Sequence, residues 1–305
     1  MSRAALTDGT AEARTGKAGR ATPAADMNQQ IPSMNEQMKL HEEQERRIAD
    51  AAARIKHVIL VLSGKGGVGK STVAANLAWA LADRGNTVGL LDADLHGPSI
   101  PLMTGLVGRR VTGTPETIEP VPLAPNLGVI SIGFMIEDLD APTIWRGPLR
   151  AGVVRQFIAD VQWGELDYLI VDLPPGTGDE PLTIAQAFPG AVAVIVTTPQ
   201  EASLSDCRKA INFVRRLQRP VLGVIENMSG FICPHCGERT DIFASGGGER
   251  MARQAGVPFL GRVPMSADVV RLSDQGRAIM GPAAPEPVRA ALEAIVDALM
   301  QELAE

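Results

Sequence analysis

The sequence predicts an α/β protein with a mostly parallel central sheet flanked by helices. Three observations lead there. A glycine-rich loop at 63–72 sits between an apolar run and a helical pattern. Near-continuous apolar runs then alternate with amphipathic stretches, the pattern of parallel strands covered on both faces. Aspartates close several of those runs, and ligands of such sheets bind at the carboxyl ends of strands.

The elements follow in order. Residues 1–36 are rich in Ala, Thr, Gly and polar side chains without periodicity, so a disordered tail is expected. Asp8 and Glu12, with no apolar core nearby, exclude a secretory signal, and they argue against a transit peptide despite Arg14, Lys17 and Arg20. Residues 37–56 predict a helix: Ile48, Ala51, Ala52 and Ile55 share a face, and Glu42–Arg46 and Glu43–Arg47 are favourable i,i+4 pairs. One domain is expected from 57 to 305. Its first strand is 57–62 and its first helix 71–83, where Val73, Leu77, Ala80 and Leu81 are apolar. Strands are expected at 87–91, 127–132, 168–172, 191–197, 221–225 and 259–263, with helices at 149–162, 204–217 and 286–304.

Composition narrows the function. The chain of 305 residues is 45% hydrophobic and 21% charged, as an ordinary globular protein is. A net charge of −6 is not that of a molecule built to grip nucleic acid or an anionic membrane. No apolar run approaches the ~20 residues of a membrane span. Three cysteines without a secretory signal point to thiol chemistry or metal rather than structural disulfides, and to the cytoplasm.

The glycine-rich loop has the spacing of a phosphate-binding loop, with Gly64, Gly69, Lys70 and Ser71 at the required positions. Glycines let the backbone curl so that N–H groups of Gly64, Lys65, Gly66, Gly67, Val68, Gly69, Lys70, Ser71 and Thr72 can face phosphates, and the helix N-terminus adds its positive dipole end. Lys70 is expected on the β- and γ-phosphates of ATP and the Ser71 hydroxyl on Mg²⁺. Asp172 ends an apolar strand, as an aspartate that holds Mg²⁺ should. Asp92 and Asp94 end another, and their positions put Asp94 on the attacking water and Asp92 nearer the metal. A lone strand-end aspartate is as readily a turn or cap residue, but three beside a phosphate loop point to chemistry. The Pro174–Pro175–Gly176 turn can sense the γ-phosphate through the Gly176 N–H.

Lys65 adds a second lysine inside the loop. The resulting Lys-Gly-Gly-Val-Gly-Lys resembles the deviant Walker A group of P-loop NTPases, which includes MinD, ParA and the nitrogenase iron protein. The resemblance implies a homodimer in which Lys65 reaches the facing subunit's nucleotide, as an arginine finger does. The alternative is that Lys65 lines its own site. Asn227 resembles the asparagine that reads adenine in this group, though a turn asparagine explains it equally well on chemistry alone.

A second site is Cys233-Pro234-His235-Cys236-Gly237. Two residues between the thiols let both sulfurs face one ion. Structural zinc needs two further ligands, and Cys207 and His235 do not form a second pair at that spacing. A dithiol redox motif expects its first cysteine to open a helix, whereas a strand-like stretch at 239–243 follows here. An iron–sulfur cluster needs four thiolates, which a two-fold dimer supplies. Cys207 reads as packing inside a helix.

Together, residues 63–72, Asp92-Ala93-Asp94-Leu95-His96-Gly97-Pro98-Ser99, the stretch from Asp172 to Asp179 and the paired cysteines resemble the Mrp (ApbC) iron–sulfur cluster carriers. The resemblance covers residues 56–305. It implies a homodimeric ATPase whose Cys233 and Cys236 hold a labile [4Fe–4S] cluster, received from scaffold proteins and passed to apo iron–sulfur proteins. Two features of the family are not found: there is no cysteine before Cys207 for an amino-terminal ferredoxin-like cluster, nor the small amino-terminal domain of many bacterial members. The rival class is a MinD/ParA-type positioning ATPase on membrane or DNA. A membrane-targeting helix has a basic polar face, and the last helix carries Glu293, Asp297 and Glu302 against Arg289, so neither stable membrane association nor nucleic acid is expected. A small-molecule kinase or ligase has no need of Cys233 and Cys236.

Overall fold

The computed structural model describes residues 34–304 except 96, 115–116, 136–146 and 282. It divides into two units, Met1–Lys39 and Leu40–Glu305. In the first, residues 34–39 form the opening of helix α1 (Met34–Ala53); the expected tail otherwise lies outside the described residues, as does His96.

In the second unit, α1 runs to Ala53 and strand β1 (Ile55–Leu62) follows directly. Ile55, expected on the helix face, is instead the first strand residue and pairs with Leu166. A β-branched residue with a strand partner gains more there than at a fraying helix end. Then come α2 (Lys70–Asp83), β2 (Val88–Asp92), α3 (Ile100–Met103), the hairpin β3 (Thr112–Thr114) and β4 (Thr117–Glu119), β5 (Val121–Ala124) and β6 (Leu127–Ser131). They are followed by α4 (Gly147–Asp160), β7 (Leu166–Asp172), α5 (Asp179–Ala187), β8 (Val192–Thr197), α6 (Glu201–Arg216) and β9 (Val221–Glu226). A second hairpin, β10 (Phe231–Ile232) and β11 (Arg239–Thr240), precedes α7 (Gly247–Ala255), β12 (Phe259–Arg262), α8 (Ala267–Asp274) and α9 (Glu286–Ala304).

Eight strands form one sheet in the order β12-β9-β8-β1-β7-β2-β6-β5, parallel except for β5 at the edge. Each central strand is buried on both faces, which is why its sequence is apolar without alternation. On β1, Leu60 and Leu62 face a layer that includes Ile48, Phe157, Ile184 and Ile211; Ile59 and Val61 face Leu77, Leu81, Leu292 and Ile295. The apolar stripe of α9 (Val288, Leu292, Ile295, Val296, Leu299) is thus inside the core. Among the described residues no helix is long and apolar enough to cross a membrane.

The register decides where the chemistry sits. Ser131 of β6 pairs with Asp92 of β2, and Asp92 pairs with Asp172 of β7, so three polar residues end adjacent strands in one row. Thr197 of β8 pairs with Glu226 of β9 in the same way.

Candidate functional site

The loop between β1 and α2 lies at this carboxyl edge. Gly69 caps α2 in the left-handed region at φ 80°, and a Cβ there would meet the Asn227 amide. Gly64 has no room for a side chain, because a Cβ would lie 2.3 Å from the Asp206 carbonyl carbon. Ser63 Oγ donates to Lys65 O at 2.9 Å and closes the loop's first bend.

Lys70 turns into the edge of the sheet, where its Nζ meets Asp172 Oδ1 at 2.5 Å and Ser71 Oγ at 3.3 Å. Among the described residues, Asp172 Oδ2 is buried and has no hydrogen-bond partner. Burial pushes the Asp172 carboxyl up, and Lys70 offsets only part of that rise. A carboxylate oxygen left open beside a serine hydroxyl is a hard, oxygen-only donor set that fits Mg²⁺.

Asp92 is fully buried beside this pair. Its Oδ2 accepts from Ser131 Oγ at 3.0 Å and from the Ile100 N–H at 3.3 Å, and its Oδ1 accepts from the Asp94 N–H at 3.2 Å. Burial, with the charge of Asp172 beside it, pushes the Asp92 carboxyl up to about 8. Asp94 is half-buried, and its Oδ1 accepts from the Gly97 N–H at 3.3 Å. Lys65 is half-buried in the loop. The Gly176 N–H, expected to be open to a phosphate, donates to Ser63 O at 3.0 Å.

Asn227 follows β9 and is brought to the loop: its Nδ2 donates to Val68 O at 2.9 Å. Beside it opens an apolar cavity of about 230 Å³, lined in part by Gly69, Met103, Asn227, Met228, Val263 and Met265. An apolar cavity next to an amide and a phosphate loop suits a nucleobase. Sequence reasoning found Asn227 but not the methionines, because they come from α3, the turn after β9 and the turn after β12. It also missed Glu226, fully buried at the end of β9. A carboxylate ending an apolar strand, the signal that identified Asp172, was present there too.

The paired thiols lie in the turn of the β10–β11 hairpin, apart from any helix. Cys233 is half-buried and Cys236 exposed. The turn closes with Gly237 N–H to Cys233 O at 2.9 Å and Cys233 N–H to Glu238 O at 2.9 Å. Backbone N–H groups of Cys236 and His235 face the Cys233 sulfur and lower its pKa, favouring the thiolate that metals bind. No group of three or more His, Cys, Asp or Glu that could hold a metal ion occurs among the described residues. Cys207 is fully buried in α6 with its Sγ 3.6 Å from Val196 O, and burial pushes its thiol up.

Comparison with known proteins places these features. Residues 54–300 match the family model of ParA, described as NUBPL iron-transfer P-loop NTPase. The chain is 50% identical over 239 residues to the iron-sulfur cluster carrier protein of Methanocaldococcus jannaschii, covering 78% of this chain and 82% of that one. It is 46% identical over 253 residues to the cytosolic Fe-S cluster assembly factor NUBP2 of Homo sapiens, covering 81% and 93% respectively. Among solved structures it is similar to a nucleotide-binding protein of Archaeoglobus fulgidus in complex with ADP, with TM-score 0.69, 43% identity and coverage of 80% and 95%. The MinD cell division protein of Aquifex aeolicus shares the fold at TM-score 0.57 and 23% identity, covering 82% and 97%.

Proposed function

This chain belongs to the NUBPL iron-transfer P-loop NTPases of the ParA group, and on that premise we propose that it is a cytoplasmic, homodimeric iron–sulfur cluster carrier that hydrolyses ATP. The observation that carries the cluster reading is the β10–β11 turn. One thiol is exposed and the other half-buried with backbone donors around its sulfur, and no third metal ligand gathers beside them among the described residues. Two such turns across a two-fold axis give the four thiolates of a [4Fe–4S] cargo.

ATP takes the loop and the cavity together. Backbone N–H groups from Gly64 to Thr72 cradle the phosphates, and Asn227 and the apolar cavity take the base. Lys70 leaves Asp172 for the β- and γ-phosphates, since a polyphosphate offers more charge than one carboxylate. Ser71 and Asp172 are the residues that would hold Mg²⁺. Bound Mg²⁺ neutralises charge on the phosphate oxygens. Asp94 orients a water for attack on the γ-phosphorus; the bond to the bridging β–γ oxygen breaks and phosphate leaves with the water's oxygen. Asp92, nearer the metal than Asp94, also anchors Asp94 and the start of α3 by accepting from the Asp94 and Ile100 N–H groups. Lys65, supplied by the facing subunit, stabilises charge on the transferring group.

The positioning-ATPase reading loses support from α9, whose apolar stripe is committed to the core and so is not offered to a membrane. The carrier reading is tested by mixing reconstituted protein with an apo [4Fe–4S] enzyme. Recovery of that enzyme's activity with wild type, and none with Cys233→Ala, is expected. Equal recovery with both would reject it.

A further inference from the structure

Two segments, 226–232 and 263–265, serve both the base cavity and the thiol hairpin. Met228 and Met265 line the cavity beside Gly69 and Asn227. Met265 also holds the hairpin: its N–H donates to Gly230 O at 2.7 Å, and its carbonyl accepts from the Ile232 N–H at 3.2 Å. Phe231 and Met265 thereby form a parallel bridge, and Ile232 is the residue before Cys233. Nearer the sheet, the Val263 N–H donates to Glu226 O at 2.9 Å and the Ser229 N–H to Val263 O at 3.0 Å. A ladder of backbone bonds therefore runs from the strand end beside Asn227 to Ile232, the residue before the first thiol.

The segment is also strained and clamped. Met228 is a non-glycine residue in the left-handed region at φ 56°, the kind of outlier that survives where surrounding structure enforces it. Glu226 fixes the other side. Its carboxylate accepts from Ser229 Oγ at 2.6 Å and from the N–H groups of Gly246 at 2.9 Å and Gly248 at 2.5 Å, which ties the start of α7 to the same turn. A turn held at so many points has little freedom to absorb a shift locally, so a displaced Met265 carries Ile232 with it.

We propose that a purine nucleotide in the cavity shifts Met265 and Met228, and that these two methionines set the exposure and spacing of Cys233 and Cys236. The base site thereby regulates the thiol turn. This inference rests on the proposed function above, which assigns the cavity to the base and the turn to the cluster. The coupling is reciprocal, so a metal held by the thiols changes nucleotide affinity by the same factor.

The test needs no iron. Alkylation rates of Cys233 and Cys236 are followed by mass spectrometry in cluster-free protein, with and without saturating Mg-ADP. In wild type the nucleotide is expected to change the rate about fivefold or more. Met265→Ala keeps the backbone bonds but vacates part of the cavity, and should nearly abolish the change at saturation; Met265→Leu refills the space and should restore it. Alkylation of buried Cys207 reports unfolding, and if Met265→Ala unfolds, Met228→Ala makes the same test from the other side of the cavity. A wild type whose thiols ignore ADP, or a folded alanine variant with an undiminished response, overturns the link. The carrier reading fails by a different result: thiols that respond to ADP in a chain that takes up no iron keep the link and lose the carrier.

Discussion

Lys70 Nζ and Asp172 Oδ1 lie 2.5 Å apart, both side chains almost wholly out of water. The lysine proposed to grip phosphate is thus paired with the aspartate proposed to face the metal, and each neutralises the other. Lys70→Ala should abolish nucleotide binding or turnover and also cost about 3 kcal/mol of stability, because it strands a buried carboxylate. Lys70→Ala with Asp172→Asn should recover much of that loss. Urea unfolding of the two single variants and the double variant checks this; purely additive effects would mean the pair is not coupled.

Asp94 and Lys65 separate chemistry from binding. Asp94→Asn should bind ATP as wild type does and slow single turnover by 10²-fold or more, the usual worth of a positioned base. Unchanged single-turnover rates would remove Asp94 from the mechanism. Lys65→Ala should be inactive alone but regain hydrolysis when mixed with Lys70→Ala, since a mixed dimer holds one intact nucleotide site faced by an intact Lys65. Failure to complement argues against supply in trans.

Asp92 predicts a pH dependence. Its carboxyl moves from an ordinary 3.8 up to about 8, so between those values the folded state keeps a proton that the unfolded state has lost. Stability should therefore fall as pH rises through that window, by at most about 1.4 kcal/mol per unit from this one group. Asp92→Asn cannot titrate and should flatten the slope. Denaturation at pH 5 and pH 8 measures it; identical slopes in the two proteins would show that Asp92 does not carry the proton.

Helix α1 is attached through Ile48, which is 3% exposed, and through Arg47, whose guanidinium lies 2.8 Å from Asp160. Ile48→Ala should cost about 2–5 kcal/mol, while deletion of residues 1–35 should change the melting temperature little. A melting temperature that drops as far on deletion of the tail as in Ile48→Ala would show that the tail itself packs.

Much of this was legible in the sequence because it is local. The loop glycines, Lys70 and Ser71 lie in one run, and the apolar strands of a sheet covered on both faces need no partner to be recognised. What stayed hidden depends on partners far along the chain. Helix α7 begins with Gly247 and Gly248, poor helix formers, and its first N–H groups are held by Glu226 from β9. The pairing of Lys70 with Asp172 and the anchoring of Asp92 by Ser131 follow from strand register, which periodicity does not fix. Ile55 is the opposite case: it continues the helical stripe of α1, and only its pairing with Leu166 assigns it to β1.

The central claim is that Cys233 and Cys236 of two subunits share one cluster, and iron per dimer after anaerobic reconstitution tests it most directly. About four irons and four sulfides per dimer, as one cubane requires, are expected, with their loss in Cys233→Ala and Cys236→Ala and their retention in Cys207→Ser. One tightly held zinc per monomer, or iron that persists without Cys236, would contradict it.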